Sequence, residues 1–66
     1  MIGPKNKPEI ELINQDGNAF AIMGTVSKAL RKAGADSEYI KQYTDAATSG
    51  DYDNLLQVTM EYADII

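Results

Sequence analysis

The spacing of the apolar residues changes at the segment INQDGNAF (residues 13–20), and this change constrains the fold more than any other feature. Before it, the segment EIELIN (residues 9–14) places Ile10 and Leu12 on one side of an alternating run, which is typical of a β-strand. After it, no second alternating, β-branched run follows, so a β-hairpin at Asp16-Gly17 is not expected. The segment instead predicts a strand, a tight turn and then a helix.

The first helix is predicted to begin after Asn18 and to end near Gly34. Asn18 is a favourable N-cap, and Gly34 suits the left-handed position that follows many helices. Gly24 lies inside this helix at a cost of about 1 kcal/mol, so we expect another backbone to pack closely against it. The predicted buried face has helical spacing and consists of Phe20, Met23, Val26, Leu30 and Ala33, widened by Ile22 and Ala29.

Two further helices follow at short intervals. Asp36 is the predicted N-cap of the second helix, whose apolar face holds Ile40, Tyr43 and Ala47. Asp51 is the predicted N-cap of the third helix. Its apolar face is predicted to contain Tyr52, Leu55, Leu56, Thr59, Met60 and Ala63, with Ile66 extending it. Short connections favour antiparallel neighbours. The predicted fold is therefore α+β and helix-dominated, with one N-terminal strand before three short helices.

The small size of the chain favours association with a second copy. A chain of 66 residues hides only about 60% of its unfolded surface, and this one has no cysteine for a disulfide. We expect a flexible tail at residues 1–8 and one small helical domain at residues 9–66. Because the predicted strand has no partner within the chain, its edge is expected to pair across a homodimer, with Ile10 and Leu12 as the dimer residues.

The residue types that most often carry catalysis or bind zinc are missing. The chain has neither histidine nor cysteine, which removes the usual general base, thiolate ligands and cysteine nucleophiles. A cation loop starting at Asp16 lacks further oxygen ligands in the residues that follow Asn18. We therefore predict no catalytic, cofactor-binding or metal-binding residue, and no enzymatic activity.

An acidic and aromatic corner at the start of the third helix is the main candidate for partner contact. Asp51, Tyr52 and Asp53 lie together there, although capping and the positive helix end explain both carboxylates. Tyrosines combine an apolar ring with a polar tip and are frequent at interfaces. Tyr39 and Tyr43 are therefore grouped with the corner as candidate partner-contact residues.

Two other functional classes are suggested by short motifs. Asp36-Ser37 resembles the site at which acyl carrier proteins hold their prosthetic group, but Glu38 replaces the expected leucine and the preceding loop is missing. Asp36 as an N-cap, with Ser37 as the first helical residue, explains both residues more simply.

The segment SKALRKAGADSEYIKQY (residues 27–43) resembles a helix-turn-helix, with Lys28, Arg31 and Lys32 as its basic cluster. Its second helix opens with acidic residues that would face phosphates unfavourably. A nucleic-acid-associated regulator is therefore the alternative prediction, and nucleic acid is an unlikely partner.

The net charge of −4 disfavours broad binding to a phosphate backbone. No apolar run approaches the length of about 20 residues that spans a membrane, and charge instead of an apolar run follows Met1 to Gly3. We therefore expect neither a membrane partner nor a signal peptide, and a cytoplasmic location.

Three segments together resemble a family of very short proteins encoded in bacteriophages, prophages and marine metagenomes. They are DGNAF (residues 16–20), ALRKAG (residues 29–34) and ATSGDYDNLL (residues 47–56). The similarity covers most of residues 10–62 and brings no assigned activity, so it implies no functional residues. The resemblance implies an accessory or modulator protein of phage type, acting by contact with an unidentified host or phage protein.

Overall fold

The computed structural model describes residues 1–11 and 19–66. In chain order the elements are β1 (Glu9–Ile10), α1 (Ala19–Lys32), α2 (Ser37–Ala47), α3 (Tyr52–Tyr62) and β2 (Asp64–Ile65). The predicted helix-dominated α+β fold, with an N-terminal strand before three helices, is confirmed. Three sequence predictions, the Asn18 cap, the Asp16-Gly17 turn and the role of Leu12, lie outside the described residues.

Helix α1 buries a narrower face than its sequence predicts. Met23, Val26 and Leu30 are buried as expected, and so is Ile22, which was predicted to widen the face. Phe20 is 79% exposed, so its assignment to the buried face is wrong. Each step of three residues rotates a position by about 60° around the helix axis, because a turn contains about 3.6 residues. Two such steps carry Phe20 about 120° away from Val26, beyond the edge of the buried face.

The two glycines of the α1 region have different environments. Gly34 has a φ of +108°, as predicted for the residue that follows a helix. The amides of Gly34 and Ala35 donate to the carbonyls of Arg31 and Leu30 at 3.1 and 3.0 Å, which closes the helix. A Cβ atom at Gly24 would meet no atom within 4 Å, so the prediction of a closely packed backbone there is wrong.

Aspartates begin both remaining helices, as their sequence predicts. Asp36 accepts a hydrogen bond from the amide of Tyr39, and Asp51 accepts one from the amide of Asn54. In α2 the predicted face of Ile40, Tyr43 and Ala47 is buried. In α3 the buried face is narrower than predicted. Leu55, Thr59 and Ala63 are buried, Leu56 is half-buried, and Tyr52 and Met60 are exposed.

The N-terminal strand finds its partner within the chain, which corrects the sequence prediction. β1 pairs in parallel with β2, with Glu9 opposite Asp64 and Ile10 opposite Ile65. The amide of Ile66 donates to the carbonyl of Ile10 at 2.9 Å. Ile10 is buried in the core of its own chain. The premise that β1 needs a second copy for pairing is therefore wrong.

The N-terminal residues contact the turn between α1 and α2. The amide of Lys5 donates to the carbonyl of Ala33 at 3.1 Å. The amide of Ile2 donates to the carboxylate of Asp36, and the carbonyl of Ile2 accepts from the amide of Asp36, both at 2.8 Å. These bonds place residues 2–5 beside that turn. The predicted flexibility of residues 1–8 stays a prediction.

Candidate functional site

A surface cavity of about 250 Å³ lies where the start of α1 meets the turn between α2 and α3. We call it the α1–α3 pocket. Its lining consists of Ala19, Phe20, Met23, Ala47, Thr48, Gly50, Asp51, Tyr52 and Leu55. These residues are distant in sequence but meet here, because the first turn of α1 lies beside the last turn of α2.

The pocket has an apolar floor and an exposed aromatic rim. Met23, Ala47 and Leu55 form the floor and are at most 8% exposed. At the rim, 79% of Phe20 and 42% of Tyr52 are exposed. Large aromatic groups left at a surface beside an apolar hollow are characteristic of binding sites.

Hydrogen bonds fix the turn between α2 and α3, which carries the Tyr52 side of the rim. The side-chain amide of Asn54 donates to the carbonyl of Ala46 at 3.0 Å, which ties the start of α3 to the end of α2. The carboxylate of Asp51 accepts from the amide of Asn54 at 3.0 Å. A Cβ atom at Gly50 would lie 2.9 Å from the Cβ of Asn54, so a larger residue there would displace Asn54. The start of α3, which carries Tyr52, is therefore held in a defined position.

The charges near the pocket are acidic. Of the described residues, Asp51 is the sole charged side chain that lines it. Asp53 is exposed in the first turn of α3, beside the pocket. Asp45, near the end of α2, forms an ion pair with Lys41 at 3.3 Å. Of the residues that the sequence suggested for partner contact, Asp51 and Tyr52 line the pocket and Asp53 is adjacent to them.

The other two candidate tyrosines lie elsewhere. Tyr43 is fully buried, which removes it from any partner-contact surface. Its hydroxyl shares a hydrogen bond of 2.8 Å with the hydroxyl of Thr59, and burial raises the pKa of Tyr43. Tyr39 is half-buried, and its ring and that of Tyr43 both meet the ring of Tyr62 edge-on, at centroid distances of 5.5 and 5.2 Å. These three rings form an aromatic cluster of the core.

The residues that suggested other functions have structural roles or lie far from the pocket. Asp36 caps α2, whose first residue is the exposed Ser37. The amide of Tyr39 is the main cause that holds the pKa of the Asp36 carboxyl below 3.8. The exposed Lys28, Arg31 and Lys32 lie towards the opposite end of α1 from the pocket.

The geometry shows no metal cluster in the part of the chain that the structure describes, since no three acidic residues converge there. Within residues 1–11 and 19–66, no helix is long and apolar enough to cross a membrane. No protein-family model, curated protein or solved structure matches the chain.

Proposed function

We propose that this protein acts by contact with another protein and does not catalyse a reaction. The observation that carries this proposal is the α1–α3 pocket, where Phe20 and Tyr52 stand exposed over a buried apolar floor. Aromatic residues are enriched where protein partners bind, and they supply large contact areas there.

The size and chemistry of the pocket favour a protein side chain over a small molecule. A cavity of about 250 Å³ is smaller than the range of about 300–1,000 Å³ that is common for small-molecule sites. Its charged residue, Asp51, is already engaged as the N-cap of α3. Acid–base chemistry needs a titratable group free to reach a substrate, usually with its pKa tuned by neighbours. Contact is therefore the better-supported function.

The resemblance to short phage proteins gives this function a biological setting. Two of the three resembling segments, DGNAF and ATSGDYDNLL, contribute residues to the pocket. We propose a phage-type accessory or modulator protein that meets its target in the cytoplasm of the host cell. A pocket shared by related short proteins would serve as their common contact surface.

Capture from a lysate of the host cell tests this function. The tagged protein is compared with a pocket variant, Phe20→Ser combined with Tyr52→Ser, and with a control, Ile2→Ser. Ile2 is 64% exposed beside Asp36, away from the pocket, so the control also removes an exposed apolar side chain. We expect one or more proteins to be retained by the parent chain and the control and lost with the pocket variant. Identical retention by all three proteins would refute the proposal.

The alternative function is nucleic-acid-associated regulation through Lys28, Arg31 and Lys32. The observation in its favour is that all three cations are exposed on the second half of α1. Against it, α2 presents an exposed Glu38 in the first turn of the would-be recognition helix. Retention on DNA that weakens with salt would support this alternative, and no retention at low salt would remove it.

A further inference from the structure

We propose that the α1–α3 pocket binds a basic peptide segment, in which a large apolar side chain is flanked by lysine or arginine. This inference rests on the proposed function and specifies the chemistry of the partner. It follows from two independent features, the apolar hollow of the pocket and the charge of its surroundings.

The hollow requires a bulky apolar anchor. Its floor of Met23, Ala47 and Leu55 offers carbon and sulfur surface at the centre, while polar groups lie at the α2–α3 turn. A polar side chain placed over this floor would lose water without gaining hydrogen bonds there, which is unfavourable. A leucine, phenylalanine or methionine of the partner would instead pack against this floor and against the rings of Phe20 and Tyr52.

The surroundings require positive charge beside that anchor. Asp51 and Asp53 place two exposed carboxylates at the start of α3. The positive end of a helix is equivalent to roughly half a charge, so it offsets only part of them. The carboxylates of Asp51 and Asp53 are therefore complementary to lysine or arginine and repel acidic or phosphorylated segments.

The protein's own cations leave the charges of Asp51 and Asp53 largely uncompensated. At about 1.5 Å per residue, Lys28 lies about 12 Å and Arg31 about 16 Å from Phe20 along the α1 axis. The screening length is about 8 Å at physiological salt, so Lys28, Arg31 and the neighbouring Lys32 act weakly at the pocket. Lys41 is engaged with Asp45. An anionic membrane surface is disfavoured for the same reason, since it would face the carboxylates.

Titration of the isotope-labelled protein with three synthetic peptides, followed by amide chemical shifts, tests this inference. The first peptide carries leucines on one helical face with flanking lysines. The second replaces the lysines with glutamates, and the third keeps the lysines but replaces the leucines with serines. We expect the first to shift the amides of Phe20, Met23, Tyr52 and Leu55 saturably below about 1 mM, and the other two to bind at least about tenfold more weakly.

Two protein variants test the contributions of the charges and of the apolar hollow to binding separately. Asp51→Asn combined with Asp53→Asn removes both charges, while asparagine retains the cap. Exposed ion pairs are individually weak, so we expect this variant to lose about fivefold in affinity for the lysine peptide at low salt and little in 0.5 M salt. The Phe20→Ser and Tyr52→Ser combination should abolish binding, and Ile2→Ser should leave it unchanged.

Several outcomes would overturn the inference. These are equal affinity for the lysine and glutamate peptides, absence of binding by the lysine peptide at 1 mM, and shifts confined to residues away from the pocket. Movement of the same pocket amides when the protein alone is concentrated would assign the site to a second copy instead. If the peptides fail while lysate capture still depends on Phe20 and Tyr52, contact at the pocket stands and only the partner chemistry is wrong.

Discussion

The hydrogen bond between Tyr43 and Thr59 should stabilise the protein in a way that only paired substitutions reveal. Both side chains are completely buried, and their hydroxyl oxygens lie 2.8 Å apart. Removing one hydroxyl leaves the other buried without its partner, which costs about 1–3 kcal/mol. Removing both leaves no such group, so Tyr43→Phe combined with Thr59→Val should cost less than the sum of the single changes.

The two single substitutions should differ in size. In Tyr43→Phe, the remaining Thr59 hydroxyl is able to turn towards the helix carbonyl one turn earlier, as threonines in helices commonly do. In Thr59→Val, the remaining tyrosine hydroxyl sits at the end of a rigid ring, too far from its own helix backbone to reach a carbonyl there. We therefore expect about 1 kcal/mol for Tyr43→Phe and about 2–3 kcal/mol for Thr59→Val.

Urea unfolding of the parent, both single variants and the double variant measures these values as a double-mutant cycle. The control is Tyr52→Phe, which removes a hydroxyl from a side chain that is 42% exposed and should change the free energy of unfolding by less than about 0.5 kcal/mol. Additive single costs, with an interaction energy below about 0.5 kcal/mol, would refute the reasoning. A control as costly as Tyr43→Phe would also refute it.

Three further measurements test the described core and helices. Leu30→Ala removes a fully buried side chain, so it should lower the free energy of unfolding by about 2–5 kcal/mol, and an unchanged melting temperature would contradict that packing. Gly24→Ala places a methyl group in open space within α1 and should raise stability by about 1 kcal/mol; a lower melting temperature would show an unrecognised contact. Folding raises the pKa of the Tyr43 hydroxyl above its ordinary value of 10.0, so the unfolded state ionises first as pH rises. The stability associated with the neutral hydroxyl is therefore complete below about pH 10 and is lost as pH rises through the folded pKa. In thermal unfolding between pH 9 and 11, Tyr43→Phe should lose less stability than the parent chain, and equal losses would contradict this.

The helices were predictable because their signals are local. Asp36 and Asp51 lie directly before the helices that they cap, and Gly34 adopts the left-handed conformation that its place after α1 demands. A cap depends on a few neighbouring residues, so one sequence is sufficient to find it. The same spacing rules failed for Phe20, since they describe the width of an apolar stripe poorly at its edges.

The pairing of the strands was not predictable from spacing. β1 and β2 are separated by all three helices, and β2 contains only Asp64 and Ile65. Two residues are too short to display alternation, and Ile66 fits equally well as an extension of the α3 face. Only the folded path of the chain brings Ile10 beside Ile65.

The sequence indicated only part of the candidate site, because the rest of the pocket depends on the folded path of the chain. Asp51 and Tyr52 stood out because the N-cap aspartate and an aromatic residue are adjacent in sequence. The floor of the pocket comes from α1, α2 and α3, and its members have ordinary core spacing in sequence. Tyr43 was placed correctly on the apolar face of α2, but its assignment to partner contact was wrong, because a polar hydroxyl suggests a surface unless its buried partner, Thr59, is known.

The outer edge of β2 leads to the final prediction, which is a homodimer. The amides of Asp64 and Ile66 donate to the carbonyls of Pro8 and Ile10. Because successive residues of a strand turn to opposite edges, the amide and carbonyl of Ile65 point away from β1. The side chains of Ile65 and Ile66 are 37% and 65% exposed at this edge. We expect antiparallel pairing of two β2 strands across a two-fold axis, which would pair the outward amide and carbonyl of Ile65 in each copy.

Substitution at Ile65 separates the backbone edge from the side chain that it carries. Ile65→Pro removes the outward amide while retaining the bonds from Asp64 and Ile66 to β1, and proline favours an extended residue before it. Ile65→Ala is the matched control, because it removes the same side chain but keeps the amide. Sedimentation at micromolar concentration should show a dimer for the parent chain, a weaker dimer for Ile65→Ala and a monomer for Ile65→Pro, all with the same helical circular dichroism. A monomeric parent chain, or equal dimerisation of the two variants, would show that this edge does not join two copies.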